Sequence, residues 1–483
     1  SINIEGADAF TAVKLAALSN ANVLVPLGQN LEVNFAGNLT NSNVLAKSGT
    51  ISFNETDIKN ANKSAYAVSI QGESDRIEVN TKNEVKFGAN TGGALKLVNV
   101  NLQQVSGIPF QTNSISSEEG TIQGAALYAT SSNLSDVQGT FDTNSLVTTA
   151  GNAEGGAVYI TNSDISSLRG SFTKNSASTT SSSSYARGGA LNLNNIQSSA
   201  PVVLSGNFTD NYASSIGSNQ VSALGGAIYT DKDITLEADG INVVFSGNYV
   251  ETANGKVPND IFLANGANLS LSLASNGTIT FNDSVDGGTG GSENVSYANK
   301  YNLTITGDSE PEPIGGVYTG SKVNFLDKDK NANITVEDAI VTLGNSLATE
   351  KMDILNSLAD NGKSVITLNS GVLSLDHVII KNAAQELKVE EEVGILTMLT
   401  TSNSELNFVN GLAEEYYMGT LKSDESTLFK IDFNFSMAPG GIPADPDFDK
   451  IKVSNDTNNS VVLLDINWTG NEAAVKSGIY QII

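Results

Sequence analysis

The chain of 483 residues carries 52 Asp and Glu against 26 Lys and Arg, a net charge of -26, with 45 Gly, 56 Asn and no Cys. Only three Arg are present, so the basic stripe that releases counterions from nucleic acid is missing, and contact with anionic lipid is disfavoured for the same reason. Disulfides and thiolate metal sites are excluded.

Residues 1–30 are read as an amino-terminal cap. The segment DAFTAVKLAALSNANV, residues 8–23, suits a helix or a strand laid over the first coil of a stacked fold, whose open end is an edge that needs cover.

Residues 31–300 hold a repeat of two tetrapeptides in alternating order, Phe-x-x-Asn and Gly-Gly-Ala-aliphatic. The pairs are Phe87 and Asn90 with Gly92 and Gly93; Phe110 and Asn113 with Gly124 and Ala125; Phe141 and Asn144 with Gly155 and Gly156; Phe172 and Asn175 with Gly188 and Gly189; and Phe208 and Asn211 with Gly225 and Gly226. Phe35 to Asn38 and Phe245 to Asn248 carry the first half alone. The step from each glycine pair to the next Phe is 17 to 20 residues, whereas the gap from Asn to the next glycine pair varies from 1 to 13. The first arc is therefore framework and the second is elastic.

Laying ALYATSSNLSDVQGTFDTN over AVYITNSDISSLRGSFTKN sets Leu127 on Val158, Tyr128 on Tyr159, Leu134 on Ile165, Val137 on Leu168, Gly139 on Gly170 and Phe141 on Phe172. Short alternating apolar runs with Ser, Asn, Asp and Gly between them are strands, not helix. A unit this small cannot bury its own apolar face, so units stack. The predicted fold is all-β, a right-handed parallel β-helix with one coil per repeat. Gly-Gly turns a tight corner at positive φ, Ala fits a crowded inward site, and the Asn of each Phe-x-x-Asn turns inward to form an amide ladder. The elastic gap, as in Ser176 to Arg187, is expected to be an exposed loop.

Residues 301–483 are read as a less regular, acidic continuation of the same solenoid, following the break GDSEPEPIGG at 307–316. Within it, residues 348–362 and 385–393 have the composition of short helices. The loop FLDKDKNANITVED sets Asp327, Asp329, Asn331 and Asn333 at alternating positions with Asp338 at the twelfth, close to calcium-loop spacing. Calcium is the only cofactor this suggests, and a polar β-turn explains the same residues, since Ala332 stands where the loop needs Gly. Catalysis has little to work with. Asp445, Asp447 and Asp449 alternate around a Pro turn, and His377, the single His, lies in a strand-like run.

Interleaved Phe-x-x-Asn and Gly-Gly-Ala-(Leu/Ile/Val) tetrapeptides, as quoted above over roughly residues 30–285, resemble the passenger domains of chlamydial polymorphic membrane proteins, a family of autotransporter adhesins. The resemblance implies display at the cell surface or outer membrane, or secretion, and attachment to a receptor on host or neighbouring cells, with the tetrapeptides contributing to adhesion. No series of ten-residue strands with an aromatic girdle closes the sequence, so membrane attachment is expected only through a barrel outside this chain. The alternative is a secreted structural subunit that self-associates into an extracellular fibre or matrix. In either case the expectation is a binding or structural protein and not an enzyme.

Overall fold

In the computed structural model, side chains are described for residues 93–101, 109–217, 222–283 and 285–287, and at Val23, Ser69, Leu373 and Leu406; elsewhere the description is of strand backbones. Among the described residues the elements are strands, paired mainly in parallel from coil to coil as a β-solenoid. The chain divides into two compact units, Ser1–Leu236 with Val244–Asn268 and Val285–Ser296, and Glu237–Val243 with Leu269–Ser284 and Tyr297–Ile483.

In the first unit, a coil is built from four strand positions. The short corner strand Ala153–Glu154 leads through Gly155 and Gly156 into Val158–Thr161 of an aliphatic wall. Asp164–Thr173 then forms the phenylalanine wall, and after the Asn175 corner Ser176–Thr179 forms a serine wall. The next corner strand, Ala186–Arg187, starts the following coil. Each position pairs in parallel with its counterpart above and below. In the aliphatic wall Leu127, Val158, Leu191, Ile228 and Ile261 stand in register, and in the phenylalanine wall Phe110, Phe141, Phe172, Phe208 and Phe245 do so. The alignment drawn from sequence, including Leu134 on Ile165 and Gly139 on Gly170, is the register of these strands. Alternation then puts one apolar set inside: Leu127, Ala129, Leu134, Val137 and Phe141 are all buried.

The elastic arc differs from expectation. Ser176–Thr179 belongs to a ladder with Ser114–Ser117, Ser145–Thr148, Tyr212–Ser215 and Tyr249–Thr252, so with Ala186–Arg187 half of the stretch from Ser176 to Arg187 is strand and not free loop. Thr179 is buried and its Oγ1 donates to the Gly151 carbonyl at 2.8 Å. Length variation is absorbed between the serine wall and the corner strand, as at 118–121, 149–152 and 180–185. Neighbouring strands hold this wall together, which explains why its Ser-rich sequence passes for loop.

The amino-terminal segment takes its strand alternative. Ala12–Leu15 pairs with Glu32–Phe35, which pairs with Thr50–Asn54, and Asn22–Val25 lies between Ile2–Asn3 and Asn43–Ala46.

In the second unit the strands of two parallel ladders alternate along the chain. One passes from Leu269–Ala274 through Tyr301–Thr306, Ala332–Glu337, Val365–Asn369, Thr397–Thr401 and Glu415–Lys422 to Lys450–Asn455. The other passes from Thr278–Phe281 through Lys322–Phe325, Ile340–Gly344, Val372–Asp376, Glu405–Asn407 and Leu428–Phe435 to Leu463–Gly470. The antiparallel pair Glu312–Ile314 with Val317–Thr319 occupies the acidic break. One helix expectation is corrected here: Met352–Asn356 is a strand between Asp329–Lys330 and Val378–Asn382. Pairing on both sides outweighs the helix propensity of its Met and Leu. The second expected helix, 385–393, lies outside the described residues.

Candidate functional site

The repeat residues meet in two columns inside the coil. The rings of Phe110, Phe141, Phe172, Phe208 and Phe245 stack with centroids 4.6 to 5.0 Å apart and planes within 6°. Beside them runs the amide ladder. Asn113 Nδ2 donates to Asn144 Oδ1 at 2.7 Å, and Asn144, Asn175 and Asn211 each donate in the same way to the next Asn at 2.9 Å. Each Oδ1 also accepts the backbone N–H of the preceding Asn. A second Nδ2 proton reaches the carbonyl of the Phe one coil back, as from Asn175 to Phe141 at 2.9 Å. These Asn side chains are fully buried, so the ladder is a satisfied internal network.

The two corner glycines act differently. Gly155 takes φ +66°, a left-handed conformation that costs Gly no Cβ clash. Gly156 has ordinary φ, but a Cβ there would collide with the Gly189 carbonyl of the next coil. The residue before each ladder Asn is also left-handed: Thr112, Thr143, Lys174, Asp210 and Gly247 have φ between 52° and 68°.

In the compressed copy, Phe87 is in backbone register with Phe110 and Gly93 opens the strand Gly93–Val98, whereas Asn90 and Gly92 lie outside the described residues. So do Asp327, Asn331 and Asp338 of the calcium-like loop; Asp329 and Asn333 fall in strands of which only the backbone is described. Among the described residues no group of three or more His, Cys, Asp or Glu could hold a metal ion. His377, Asp445 and Asp449 are likewise outside them, and Asp447 opens the strand Asp447–Phe448.

Sequence reasoning missed the outward face of the aliphatic wall. Lys96, Tyr128, Tyr159, Asn192, Tyr229 and Phe262 stand in register there, one per coil. Their signal was the residue following Gly-Gly-Ala-aliphatic, which is Tyr in three copies. Tyr128 stacks on Tyr159 with centroids 5.7 Å apart, and Tyr229 on Phe262 at 5.9 Å. Between these pairs the ladder places Asn192 where a ring would stand. A planar group comes instead from the corner strand: the Arg187 guanidinium lies 4.8 Å from the Tyr229 centroid and 3.9 Å from that of Tyr185. At the other end Lys96 Nζ lies 5.1 Å from the Tyr128 ring.

Glu154, nearly buried on the corner strand, accepts from Gln123 Nε2 at 2.6 Å and takes a hydrogen bond from Tyr185. Burial first, and then the Glu154 charge, push the hydroxyls of Tyr159 and Tyr185 up to about 12. They therefore stay protonated donors at neutral pH. The Asn192 amide is buried with no hydrogen-bond partner on either polar atom, and Arg187 Nε also has none. Of these side chains Lys96, Tyr128, Tyr185 and Arg187 are half-buried, whereas Tyr159, Asn192, Tyr229 and Phe262 are buried. A second outward cluster lies on the serine wall, where Tyr212 stacks on Tyr249 at 5.1 Å and Lys256 Nζ caps Tyr249 at 4.1 Å.

No protein-family model, curated protein or solved structure matches this chain.

Proposed function

We propose that the chain is the passenger of an autotransporter-like surface protein of the chlamydial polymorphic membrane protein type, and that it acts as an adhesin. The observation that carries this reading is the division of labour within one coil. The tetrapeptide residues are buried in the Phe and Asn columns, so the repeat supplies a scaffold, and what it leaves partly exposed beside the column from Lys96 to Phe262 is Lys96 and Tyr128 at one end and Tyr185 and Arg187 on the corner side. Tyr and Arg are the side chains most enriched at binding hot spots, and here they are held by stacking before any partner arrives. Repeated modest contacts from the partly exposed side chains of successive coils raise avidity without a deep pocket. The partner is a receptor on a host or neighbouring cell, and the protein works at the cell surface or after secretion.

Assembly into a fibre is the rival role. Against it, the serine wall ends in the hairpin strand Gly255–Pro258, whose Lys256 and Pro258 are residues that discourage strand addition at an edge.

Inert beads coated with the purified chain are expected to bind epithelial cells and to leave surface glycans covalently unchanged. Replacing the half-buried Lys96 and Tyr128 with Ser should lower binding several-fold with the melting transition little altered. Equal binding by this variant moves the contact to another face. Failure of wild-type beads to bind, together with ordered filaments formed by the chain alone, replaces the adhesin with the polymer.

A further inference from the structure

The sequence contains five Asn-Gly steps, at Asn254, Asn265, Asn276, Asn361 and Asn410, and three of them fall within the described residues. We infer that Asn265 is a site of spontaneous modification, where the main-chain nitrogen of Gly266 closes onto the Asn265 side chain, and that Asn254 and Asn276 are protected by their turns.

The three steps differ in what holds the glycine nitrogen. Asn265 and Gly266 are the two central residues of a tight turn, with φ of 56° and 79°, closed by the Ala267 N–H on the Ala264 carbonyl at 3.0 Å. Both residues are exposed, a Cβ on Gly266 would meet nothing within 4 Å, and the Gly266 N–H has no hydrogen bond to any described residue. In the neighbouring case the same turn geometry is shifted by one residue. Ser275 and Asn276 are the central pair, with φ of 51° and 59°, so Gly277 supplies the closing N–H to the Ala274 carbonyl at 2.8 Å. The Gly277 backbone also packs against the Ala238 carbonyl. Asn254 lies at a hairpin tip, where Gly255 is fixed in the antiparallel ladder opposite Thr252.

The reaction needs only water. The Gly266 nitrogen loses its proton and attacks Cγ of Asn265, forming the N–Cγ bond of a five-membered imide. The Cγ–Nδ2 bond breaks, and the nitrogen leaves as ammonia after taking a proton from solvent. Water then opens the imide at either carbonyl, giving Asp or isoaspartate, with no change of oxidation state. A nitrogen already committed to a carbonyl must first break that bond, and one held in a ladder must leave its pair. Each event at Asn265 adds a negative charge at the turn after Ile261–Ala264, and isoaspartate also lengthens the main chain there by one methylene.

The full chain, held at mildly alkaline pH and sampled over days, should be digested and mapped by mass spectrometry, with isoaspartate marked by enzymatic methyl transfer. The amide-to-acid mass increase is expected first in the peptide containing Asn265, with those containing Asn254 and Asn276 lagging several-fold. Asn265→Gln, whose longer side chain disfavours ring closure, should remove the early signal and leave the other two peptides unchanged. Faster conversion at Asn254 or Asn276, equal rates at all three, or an unaltered Asn265 peptide would each overturn the inference.

Discussion

At Asn192 the outward column calls for a ring and has an amide. Register with Tyr159 above and Tyr229 below fixes the side chain in that column, and burial leaves both of its polar atoms without partners. Stranding a buried polar group costs about 1 to 3 kcal/mol, whereas an apolar group of the same size has nothing to strand. Asn192→Leu is therefore expected to stabilise the protein by about 1 kcal/mol or more in denaturant melts, and a loss of stability would show that the amide has a partner in solution. The tyrosines beside it set an alkaline limit. The hydroxyls of Tyr159 and Tyr185, raised from 10 to about 12, favour the protonated form in the folded state. Their contribution is complete below pH 10 and is lost as pH rises towards about 12. Titration followed by tyrosinate absorbance should show a late-ionising fraction that coincides with unfolding, and Tyr159→Phe should reduce it. A single ionisation near pH 10 in the folded protein would contradict the buried setting of these rings.

The element that ends the repeat, Tyr249–Asp260, was not visible as such in the sequence. Phe245 and Asn248 looked like half a motif, yet both complete their columns: Phe245 stacks on Phe208, and Asn248 accepts from Asn211. Beyond Asn248 the chain has acceptor side chains where the other coils have a glycine corner. Asn248 Nδ2 donates to the buried Asp260 Oδ1 at 2.7 Å, and Asn259 Oδ1 accepts the N–H groups of Gly225 and Gly226 at 3.0 and 3.3 Å. The last rung of an amide ladder has a spare donor, and a carboxylate satisfies it. Asp260→Leu should cost about 1 to 3 kcal/mol by stranding the Asn248 amide, whereas Asp260→Asn, which keeps an acceptor oxygen, should cost clearly less. Equal losses would mean that the site serves packing alone. The contrast with the readable parts is physical. Leu127 on Val158 and Phe141 on Phe172 could be aligned from sequence because each coil offers the same side chain to the same slot. The serine wall and the Arg187 contact with Tyr229 depend on neighbouring coils, and no local pattern in Ser176–Thr179 or Ala186–Arg187 announces them.

For the molecule as a whole, parallel coil-on-coil pairing makes stability a chain of nearest-neighbour terms, with no single core whose loss would unfold everything at once. The net charge of -26 adds diffuse repulsion that is denser over residues 301–483, with 27 Asp and Glu against 12 Lys and Arg, than over residues 1–300, with 25 against 14, so within the repeat array local packing decides which coils open first. Phe172 is the clearest probe, because it is fully buried and stacked on both sides, at 4.6 Å from Phe141 and 4.6 Å from Phe208. Phe172→Ala removes a ring from the middle of the column and is expected to cost about 3 to 5 kcal/mol. In a globular domain that loss would lower the protection of every slowly exchanging amide together. In stacked coils the loss should stay local: amides of the adjoining strands Asn133–Asp142 and Phe208–Thr209 exchange faster, while those of Leu428–Phe435 and Leu463–Gly470, which pair only with strands of their own unit, keep their rates. Hydrogen exchange read by mass spectrometry resolves the two cases. Uniform acceleration along the chain would show a single cooperative transition and would remove the nearest-neighbour account, whereas acceleration confined to the flanking coils would show that each rung draws its stability from the two beside it.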